Sequence, residues 1–264
     1  MNILVLLAGV ADPKWPLPAS CDGDALAAHR AAHPLLSPFD EAALELALKW
    51  RDAVPDVRVD ALVGAASAQD PLLRHVAGFR LDAVAGLDLA RHPAWDAVAL
   101  AAALAQWVGV QPQRPDLVLI GREFGDDDDG CLPGIVAERL GLPMLGQVLA
   151  LGPADAGVVA LRQHDGGLER RHCALPLLAA VTNHTGNRLR HPLLKNVMNA
   201  RRMSFAMAAL PDASAIAGEA ARVVLAATAP APAPARARAC RMLDGDVAAQ
   251  ADALAELLIA EAAR

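Results

Sequence analysis

Short apolar runs alternate with stretches of helical periodicity over the first two-thirds of the chain. Residues 3–8 form a continuous apolar run, residues 57–63 and 116–121 resemble it, and residues 81–86 form a weaker one. A strand that is covered on both faces has such a run, because neither of its sides meets water. These segments therefore predict strands of a parallel sheet.

Helices are predicted between these strands. One begins at Ser37-Pro38, since a serine hydroxyl can cap a helix and proline suits the first helical position. A second is predicted over about residues 93–108 and a third over about residues 133–141. Strands that alternate with helices predict an α/β fold with a doubly wound, mostly parallel sheet and right-handed crossovers.

The pattern changes after about residue 145. Residues 158–162 and 168–175 flank the sequence Asp165–Gly167, which predicts an added β-hairpin whose turn allows positive φ. Residues 176–182 predict one more strand, and the polar segment 183–196 is interpreted as a loop.

The last part of the chain is predicted to be a C-terminal arm. Residues 226–239 are mostly alanine with three spaced prolines, which is typical of an extended, semi-rigid connector. Residues 246–263 predict a terminal helix with an apolar stripe. This helix packs either against another chain or against its own domain. We therefore divide the chain into an α/β domain, residues 1–205, and an arm, residues 206–264.

The composition narrows the class of protein. Of 264 residues, 55% are hydrophobic and 20% charged, which is enough apolar material for a sizeable core. The formal net charge of −6 and the absence of tyrosine argue against nucleic-acid binding. The four cysteines are scattered without metal-ligand spacing, which favours a reducing, cytoplasmic setting. The start lacks a basic segment and the longest apolar run, 97–105, is too short to span a bilayer, so neither a signal peptide nor membrane insertion is expected.

A nucleotide site is predicted where the parallel strands end. In open parallel sheets, ligands bind beyond the carboxyl ends of the strands, and those ends here are Ala8-Gly9, Gly64 and Gly121. The loop that follows Gly121 is rich in glycine and leads into a helix, whose free N–H groups attract phosphate. We expect the phosphate on the backbone of residues 130–134, with the aspartates 126–129 turned to solvent or to ribose hydroxyls. A solvated acidic loop is the alternative, and a divalent-metal site is a poorer one.

A basic tract follows the hairpin. Between Glu169 and Asp212 the chain has no acid and carries seven cationic side chains: Arg170, Arg171, Arg188, Arg190, Lys195, Arg201 and Arg202. Such a field steers encounters with an acidic partner, and Leu193-Leu194 in its midst supplies an apolar anchor. The alternative is an ordinary basic loop with buried leucines.

Four segments, in this order and spacing, resemble the β subunit of electron transfer flavoproteins over about residues 1–205. Residues 37–43 are similar to the family's N-P-F-x-E-x-A segment, and residues 116–128 to its strand followed by three aspartates. Residues 162–176 are similar to its signature hairpin, and residues 194–202 to its L-P-N-I-M-x-A-K-K loop.

The resemblance implies a Rossmann-like, adenine-nucleotide-binding fold and a non-catalytic electron carrier. FAD would be held mainly by an α subunit, with Phe39 close to the isoalloxazine, and AMP would bind to this chain. The implied cofactor-binding residues are Leu6, Ser37, Pro38, Phe39, Asp40, Gly64, Phe124, Gly125, Asp126, Asp127, Asp128, Asp129, Gly130, Cys131, Leu132, Pro133, Gly134, Ile135 and Val136.

The resemblance also implies partners. Leu194 would anchor a docking loop, residues 183–203, in a pocket of a flavin-dependent dehydrogenase, with Arg190, Lys195 and Arg201 around it. The heterodimer would pass electrons to the respiratory chain through electron transfer flavoprotein–quinone oxidoreductase. The C-terminal arm would wrap the α subunit.

The chain departs from the family pattern at the phosphate. Residues 130–133, Gly-Cys-Leu-Pro, stand where the family has N-Q-T-G, and neither Cys131 nor Leu132 can replace those hydrogen bonds. Ser37 replaces the family's asparagine, and Lys195 its proline. Backbone donors replace the lost contacts, or the nucleotide is bound weakly or lost.

Other functions stay open. One is a stand-alone adenine-nucleotide-binding regulatory module, which would leave the basic tract and the arm unexplained. Another is a β subunit with its own FAD for electron bifurcation. An ATP-splitting enzyme of the related α/β class would need a phosphate loop rich in glycine and serine after the first strand, where residues 8–12 read Ala-Gly-Val-Ala-Asp.

Overall fold

A nine-stranded, mostly parallel sheet organises the chain. The computed structural model describes residues 1–19, 23–89, 95–126, 128–210 and 242–262. The strands of these ranges are β1 (Asn2–Leu7), β2 (Val10–Ala11), β3 (Pro34–Leu35), β4 (Arg58–Gly64), β5 (Ala83–Leu87), β6 (Leu117–Gly121), β7 (Met144–Pro153), β8 (Val158–His164), β9 (Gly167–Cys173), β10 (Leu177–Val181) and β11 (Ala206–Met207). In the large sheet their order is β11-β5-β4-β1-β6-β10-β7-β8-β9, while β2 and β3 pair separately.

Helices cover both faces of this sheet. They are α1 (Gly23–Ala32), α2 (Pro38–Ala53), α3 (Pro71–Ala77), α4 (Ala97–Gly109), α5 (Leu132–Leu140) and α6 (Leu194–Ala200), with a short 3-10 helix at Thr185–Asn187. Side chains of β1 alternate between the two layers. Ile3, Val5 and Leu7 belong to the core with α2 and α3, and Leu4 and Leu6 to the core with α4 and α5. Burial on both faces explains why β1 is an unbroken apolar run.

The predicted α/β fold is confirmed. The parallel part of the sheet consists of β5, β4, β1, β6, β10 and β7, which all run in the same direction. The β8–β9 hairpin extends the sheet with antiparallel strands, because β8 pairs antiparallel with β7. Helix α2 begins as predicted: the Ser37 Oγ accepts from the Asp40 N–H at 3.0 Å, and the Asp40 carboxylate accepts from the Ser37 N–H at 3.1 Å. This reciprocal pair satisfies two backbone donors that the helix start leaves open.

Two elements differ from the prediction. The ten-residue strand β7 was not predicted, because Gly146 and Gly152 interrupt its apolar run and its neighbours β10 and β8 are distant in sequence. The segment interpreted as a loop ends in helix α6. Its first turn includes Leu194 and its inner face contributes Ala200, which is 1% exposed, to the core beside α3.

The chain divides into two compact units, Met1–Thr228 and Ala229–Arg264. In the second unit, α7 (Val247–Ala262) confirms the predicted terminal helix. The predicted connector, residues 226–239, lies outside the described residues, and the predicted boundary near residue 205 stays a prediction. Of the helices in the described ranges, none combines the length and the apolar character that a membrane crossing requires.

Candidate functional site

The order of the strands reverses direction at β1. The chain continues from β1 to β4 and β5 on one side, and then crosses to β6 and β10 on the other. In doubly wound sheets such a reversal opens a crevice at the carboxyl ends of the strands. Here Ala8 and Gly64 lie so close that a Cβ on Gly64 would stand 2.1 Å from the Ala8 carbonyl oxygen. Only glycine allows this approach, so the ends of β1 and β4 form one wall of the crevice.

Asp40 lies buried beneath the end of β1. Its side chain is 0% exposed, and its carboxylate oxygens accept from the N–H groups of Ala8 at 3.2 Å and Gly9 at 3.0 Å as well as from Ser37. Burial raises the pKa of Asp40, while these hydrogen bonds act in the opposite direction. Asp40 therefore holds the start of α2 to the end of β1, and its carboxylate faces the protein backbone.

The Asp128 carboxylate occupies the N-terminus of α5, where the sequence analysis expected a phosphate. The side chain is 7% exposed, and its Oδ1 accepts from the N–H groups of Gly130 at 3.1 Å, Cys131 at 3.1 Å and Leu132 at 3.2 Å. Its Oδ2 accepts from the Phe124 N–H at 2.9 Å. A carboxylate bound in this way stabilises the N-terminus of α5 as a bound anion would. The backbone donors of residues 130–132 are therefore already used.

Asp126 and Asp129 of the same loop lie at its surface. Asp126 accepts from the Ala11 N–H at 3.3 Å, Asp129 is exposed, and Asp127 lies outside the described residues. Desolvation and the neighbouring carboxylates raise the pKa of the Cys131 thiol to about 11. Potential ligand atoms of Asp128, Asp129 and Cys131 lie within 4.8 Å of one another, and the Asp128 carboxylate of this group already accepts from four backbone N–H groups.

The remaining residues implied as ligand contacts divide into two groups. One group is buried beneath the crevice and supports its walls: Leu6, Phe124, Leu132, Pro133 and Val136. The other reaches the surface at least in part: Pro38, Phe39, Gly125, Gly130, Gly134 and Ile135. Within the second group the Phe39 ring carries the Arg122 guanidinium over its face, with 4.9 Å between the carbon and the ring centroid.

Leu193 and Leu194, the two leucines of the basic tract, lie on the surface. Leu193 is 62% exposed and Leu194 is 77% exposed at the start of α6, and Met198 and Met203 are exposed beside them. Lys195 is exposed and has no ion pair with any described residue. The alternative interpretation, an ordinary basic loop with buried leucines, is therefore wrong for Leu193 and Leu194. The structure thus presents an apolar patch edged by cations.

Arg190 is engaged within the chain and is not an open cation at the surface. Its guanidinium binds the Glu45 carboxylate, with Nη2 to Oε1 at 2.8 Å, and also pairs with Asp52. The hydrogen bonds with Glu45, foremost, raise the pKa of Arg190. One turn along α2, the Lys49 Nζ donates to the Asn187 Oδ1 at 3.0 Å. Glu45, Lys49 and Asp52 lie on one side of α2, and together they hold the segment before α6.

Comparison with known proteins identifies the family of this chain. The family model for the electron transfer flavoprotein domain matches residues 26–213, which is more than half of the chain. The chain belongs to the electron transfer flavoprotein β-subunit family. It is 29% identical to the electron transfer flavoprotein subunit beta of Mycobacterium leprae over 216 residues, 80% of each chain.

Two other relatives match this chain with similar percentages of identical residues. The subunit beta from Syntrophomonas wolfei is 29% identical over 177 residues, 66% of this chain and 68% of its own. The protein FixA of Azorhizobium caulinodans is 29% identical over 185 residues, 68% of this chain and 65% of its own. The resemblance stated from four segments is confirmed, and proteins named as these subunits are electron carriers.

Some site residues could not be predicted from the sequence. Arg30 of α1 reaches the end of β1, where its Nη2 donates to the Gly9 carbonyl oxygen at 2.7 Å. No motif marked it, because α1 itself was not predicted. Glu45, Lys49 and Asp52 were not singled out either, although their spacing, which places three charged residues on one side of a helix, was a usable signal.

Proposed function

We propose that this chain is the β subunit of a heterodimer whose α subunit carries most of the contacts to FAD. The heterodimer accepts electrons from a flavin-dependent dehydrogenase and passes them to electron transfer flavoprotein–quinone oxidoreductase. The proposal also places the heterodimer in the cytoplasm, as the scattered cysteines favour. The observation that supports it best is the exposed Leu193-Leu194 pair at the start of α6, in a segment held to α2 by the partly buried Arg190–Glu45 pair, in a chain of this family.

The α6 surface has the properties of a docking site for a protein. An exposed leucine on a short, anchored helix inserts into a partner with little loss of conformational freedom, because the pairs with Glu45 and Lys49 already fix the segment. Lys195 and Arg201 at its edge add a positive field that speeds the encounter with an acidic partner. Arg190 acts as an anchor of the segment within the chain.

FAD supplies the electron transfer when it is bound, and this chain positions it. The partly exposed Phe39 ring at the rim of the crevice, with the Arg122 guanidinium over it, offers an aromatic face and a positive charge to a flavin held from the other side. No proton transfer or bond-making step is assigned to the side chains of this subunit.

AMP is the second ligand in the proposal. The crevice between β1 and β6, with Gly64 and Gly125 in its walls, is the place where a doubly wound sheet takes a nucleotide. Because Asp128 uses the donors of residues 130–132, the phosphate does not rest on them. A second FAD in this subunit would need two phosphates bound there, so no observation favours the bifurcating alternative.

Production of the chain with and without its α subunit tests the proposal. We expect a stable yellow heterodimer when the chain is produced with an electron transfer flavoprotein α subunit. The chain alone is expected to be colourless and to release at most AMP on denaturation. Flavin absorbance near its visible maximum and chromatography of the released nucleotides measure both outcomes. A chain that alone retains stoichiometric flavin would contradict the assignment.

A further inference from the structure

A groove adjoins the start of α6. It has a volume of about 780 Å³ and lies between the turn that joins α3 to β5 and the chain that leads from α6 into β11. The buried side chains of Ala77, Ala200 and Phe205 give it an apolar part. Lys195, which also lines the groove, directly follows the exposed Leu194 in α6. The groove is therefore continuous with the surface that presents this leucine.

Two cations on different elements line the groove. Arg80 lies in the turn after α3 and Lys195 in the first turn of α6, and neither has an ion pair with any residue that the structure describes. The backbone of Arg80 is held in place, because its N–H donates to the Ala77 carbonyl oxygen at 3.0 Å and its own carbonyl oxygen accepts from the Arg51 Nη1 at 3.0 Å. Both charged side chains thus start from fixed backbone and extend into solvent beside an apolar surface.

The charge of the groove is positive on balance. Among the residues that line it, Asp82 is the acid, and its Oδ2 accepts from the Val59 N–H at 2.8 Å. The pKa of Arg58 is raised foremost by its hydrogen bond with Asp60 and also by the charge of Asp82, so this carboxylate acts on a cation of β4 as well. The wall that α6 provides belongs to the acid-free stretch of the chain. A carboxylate that enters from outside therefore meets two cations and one acid that is already engaged.

We propose that this groove binds an acidic surface segment of the flavin-dependent dehydrogenase, with a carboxylate of that segment held by Arg80 and Lys195. The inference rests on the proposed function and adds a second point of attachment to it. A protein that receives Leu194 lies over the same helix that forms one wall of the groove, so its surface reaches the groove as well. Arginine and lysine beside an apolar surface bind a carboxylate more strongly than in open water, because the partner excludes solvent from the pair.

Two attachments of opposite kind would fix the orientation of the partner. Leu194 inserts an apolar side chain into the dehydrogenase, and the dehydrogenase inserts an acidic segment into the groove. A single apolar anchor permits rotation about itself, whereas a second contact on another element, the turn that carries Arg80, prevents it. Charged contacts at the edge of an interface determine orientation and the rate of encounter in this way.

Steady-state kinetics of the heterodimer with the dehydrogenase that reduces it test the role of the cation. Arg80→Asn removes the charge, and asparagine tolerates the positive φ of +57° at this position. We expect the KM for the heterodimer to rise about fivefold at low ionic strength with kcat unchanged, and the difference from the wild type to disappear at high ionic strength. Arg139→Asn is the control, because it removes an exposed charge at the end of α5 and should leave KM unchanged.

A second variant fills the groove without changing its charge. Asn199 is exposed on the α6 wall, and Asn199→Trp places a large ring in the groove. We expect KM to rise about tenfold at low and at high ionic strength, because the acidic segment is excluded by volume. Gln106→Trp, at an exposed amide of α4, is the matched control and should have the KM of the wild type. Thermal unfolding and the flavin content of each heterodimer are measured on the same samples and should not change.

The outcomes separate this inference from the proposed function. If either groove variant keeps the KM of the wild type while Leu194→Ala raises it, the groove is not a docking site and the role of α6 stands. If Leu194→Ala keeps that KM as well, the proposed docking of a dehydrogenase on this surface is wrong. A loss of the α subunit or of flavin in either groove variant would identify the α subunit as the occupant and overturn the inference.

Discussion

Two carboxylates show how a residue's role in this site depends on where its oxygens point. Asp40 and Asp128 are both nearly inaccessible to water, and both accept hydrogen bonds from backbone N–H groups. Asp40 joins the start of α2 to the end of β1, and Asp128 joins the loop after β6 to the start of α5. Both aspartates therefore stabilise the backbone on either side of the crevice by accepting its N–H groups.

We expect Asp128→Asn to destabilise the protein. The amide keeps one acceptor oxygen and places an N–H₂ group against the Phe124 N–H or against the donors of α5. The free energy of unfolding should fall by about 1–2 kcal/mol, as for loss of a helix cap. Urea unfolding of the full chain measures the change. Asp129→Asn is the matched control, and because that side chain is exposed, an equal loss there would contradict the role of Asp128 as a cap.

At the scale of elements, α2 serves two surfaces. Its apolar side, with Leu44 and Leu48, packs on the sheet, and its polar side, with Glu45 and Lys49, holds the segment that leads to α6. Because the apolar side of α2 is closely packed in the core, the helix has little freedom to move, and the segment bound to its polar side is held in place. The proposed docking surface at the start of α6 is thereby held by the same helix whose first turn lies at the crevice.

Truncation of Leu194 should weaken binding of the dehydrogenase without changing the flavin content of the heterodimer. Leu194→Ala removes an exposed apolar side chain from the start of α6, and anchor residues of this kind contribute more than about 1 kcal/mol to binding. We expect kcat/KM for electron acceptance from the dehydrogenase to fall by about tenfold, while the flavin content of the heterodimer stays the same. Steady-state kinetics and the flavin-to-protein absorbance ratio measure the two quantities.

Leu168→Ala is the control for that experiment. Leu168 is 69% exposed at the start of β9, so its truncation removes the same atoms from a different surface. Electron acceptance should stay unchanged in this variant. Equal rates for the wild type and Leu194→Ala would contradict a docking role for α6, and a loss of flavin in Leu194→Ala would indicate a structural role for the leucine.

For the whole molecule, the distribution of charge separates two functions. Asp126, Asp128 and Asp129 lie in the loop beside the crevice, and the acid-free stretch between Glu169 and Asp212 contains the proposed docking surface. A single net charge of −6 conceals this division. In the second unit, α7 presents Val247, Leu254 and Leu258 at 84%, 49% and 61% exposure, an apolar stripe of the kind that buries against a partner.

Charges placed on this stripe should weaken the heterodimer. We expect Leu254→Glu with Leu258→Glu to raise the Kd for the α subunit by at least about tenfold, because two charges would be buried at the interface, and to leave the unfolding of the first unit unchanged. The control adds the same two charges to the opposite side of α7, through Ala249→Glu and Ala260→Glu. Calorimetric titration and thermal unfolding measure the effects. A lower unfolding temperature with full affinity would show that α7 packs on its own domain.

Local signals in the sequence determined much of this protein. Continuous apolar runs predicted the buried strands β1, β4 and β6, and the Ser37-Pro38 start predicted α2, because each depends on residues that are neighbours in the chain. The approximate place of the crevice followed as well, since parallel strands end at one edge of the sheet. The acid-free tract and the leucines within it were also visible in the sequence, whereas the exposure of Leu193 and Leu194 came from the structure.

The tertiary structure alone decided which of these residues do what. Four adjacent aspartates look equivalent in the sequence, and only the fold of the loop brings the Asp128 carboxylate onto the donors of α5. Arg190 was one cation among seven until packing placed it against Glu45, 145 positions away. Arg30 likewise reaches Gly9 only through the position of α1. Hydrogen bonds and ion pairs form between groups that packing brings together, so their partners are determined by the whole fold and not by sequence spacing.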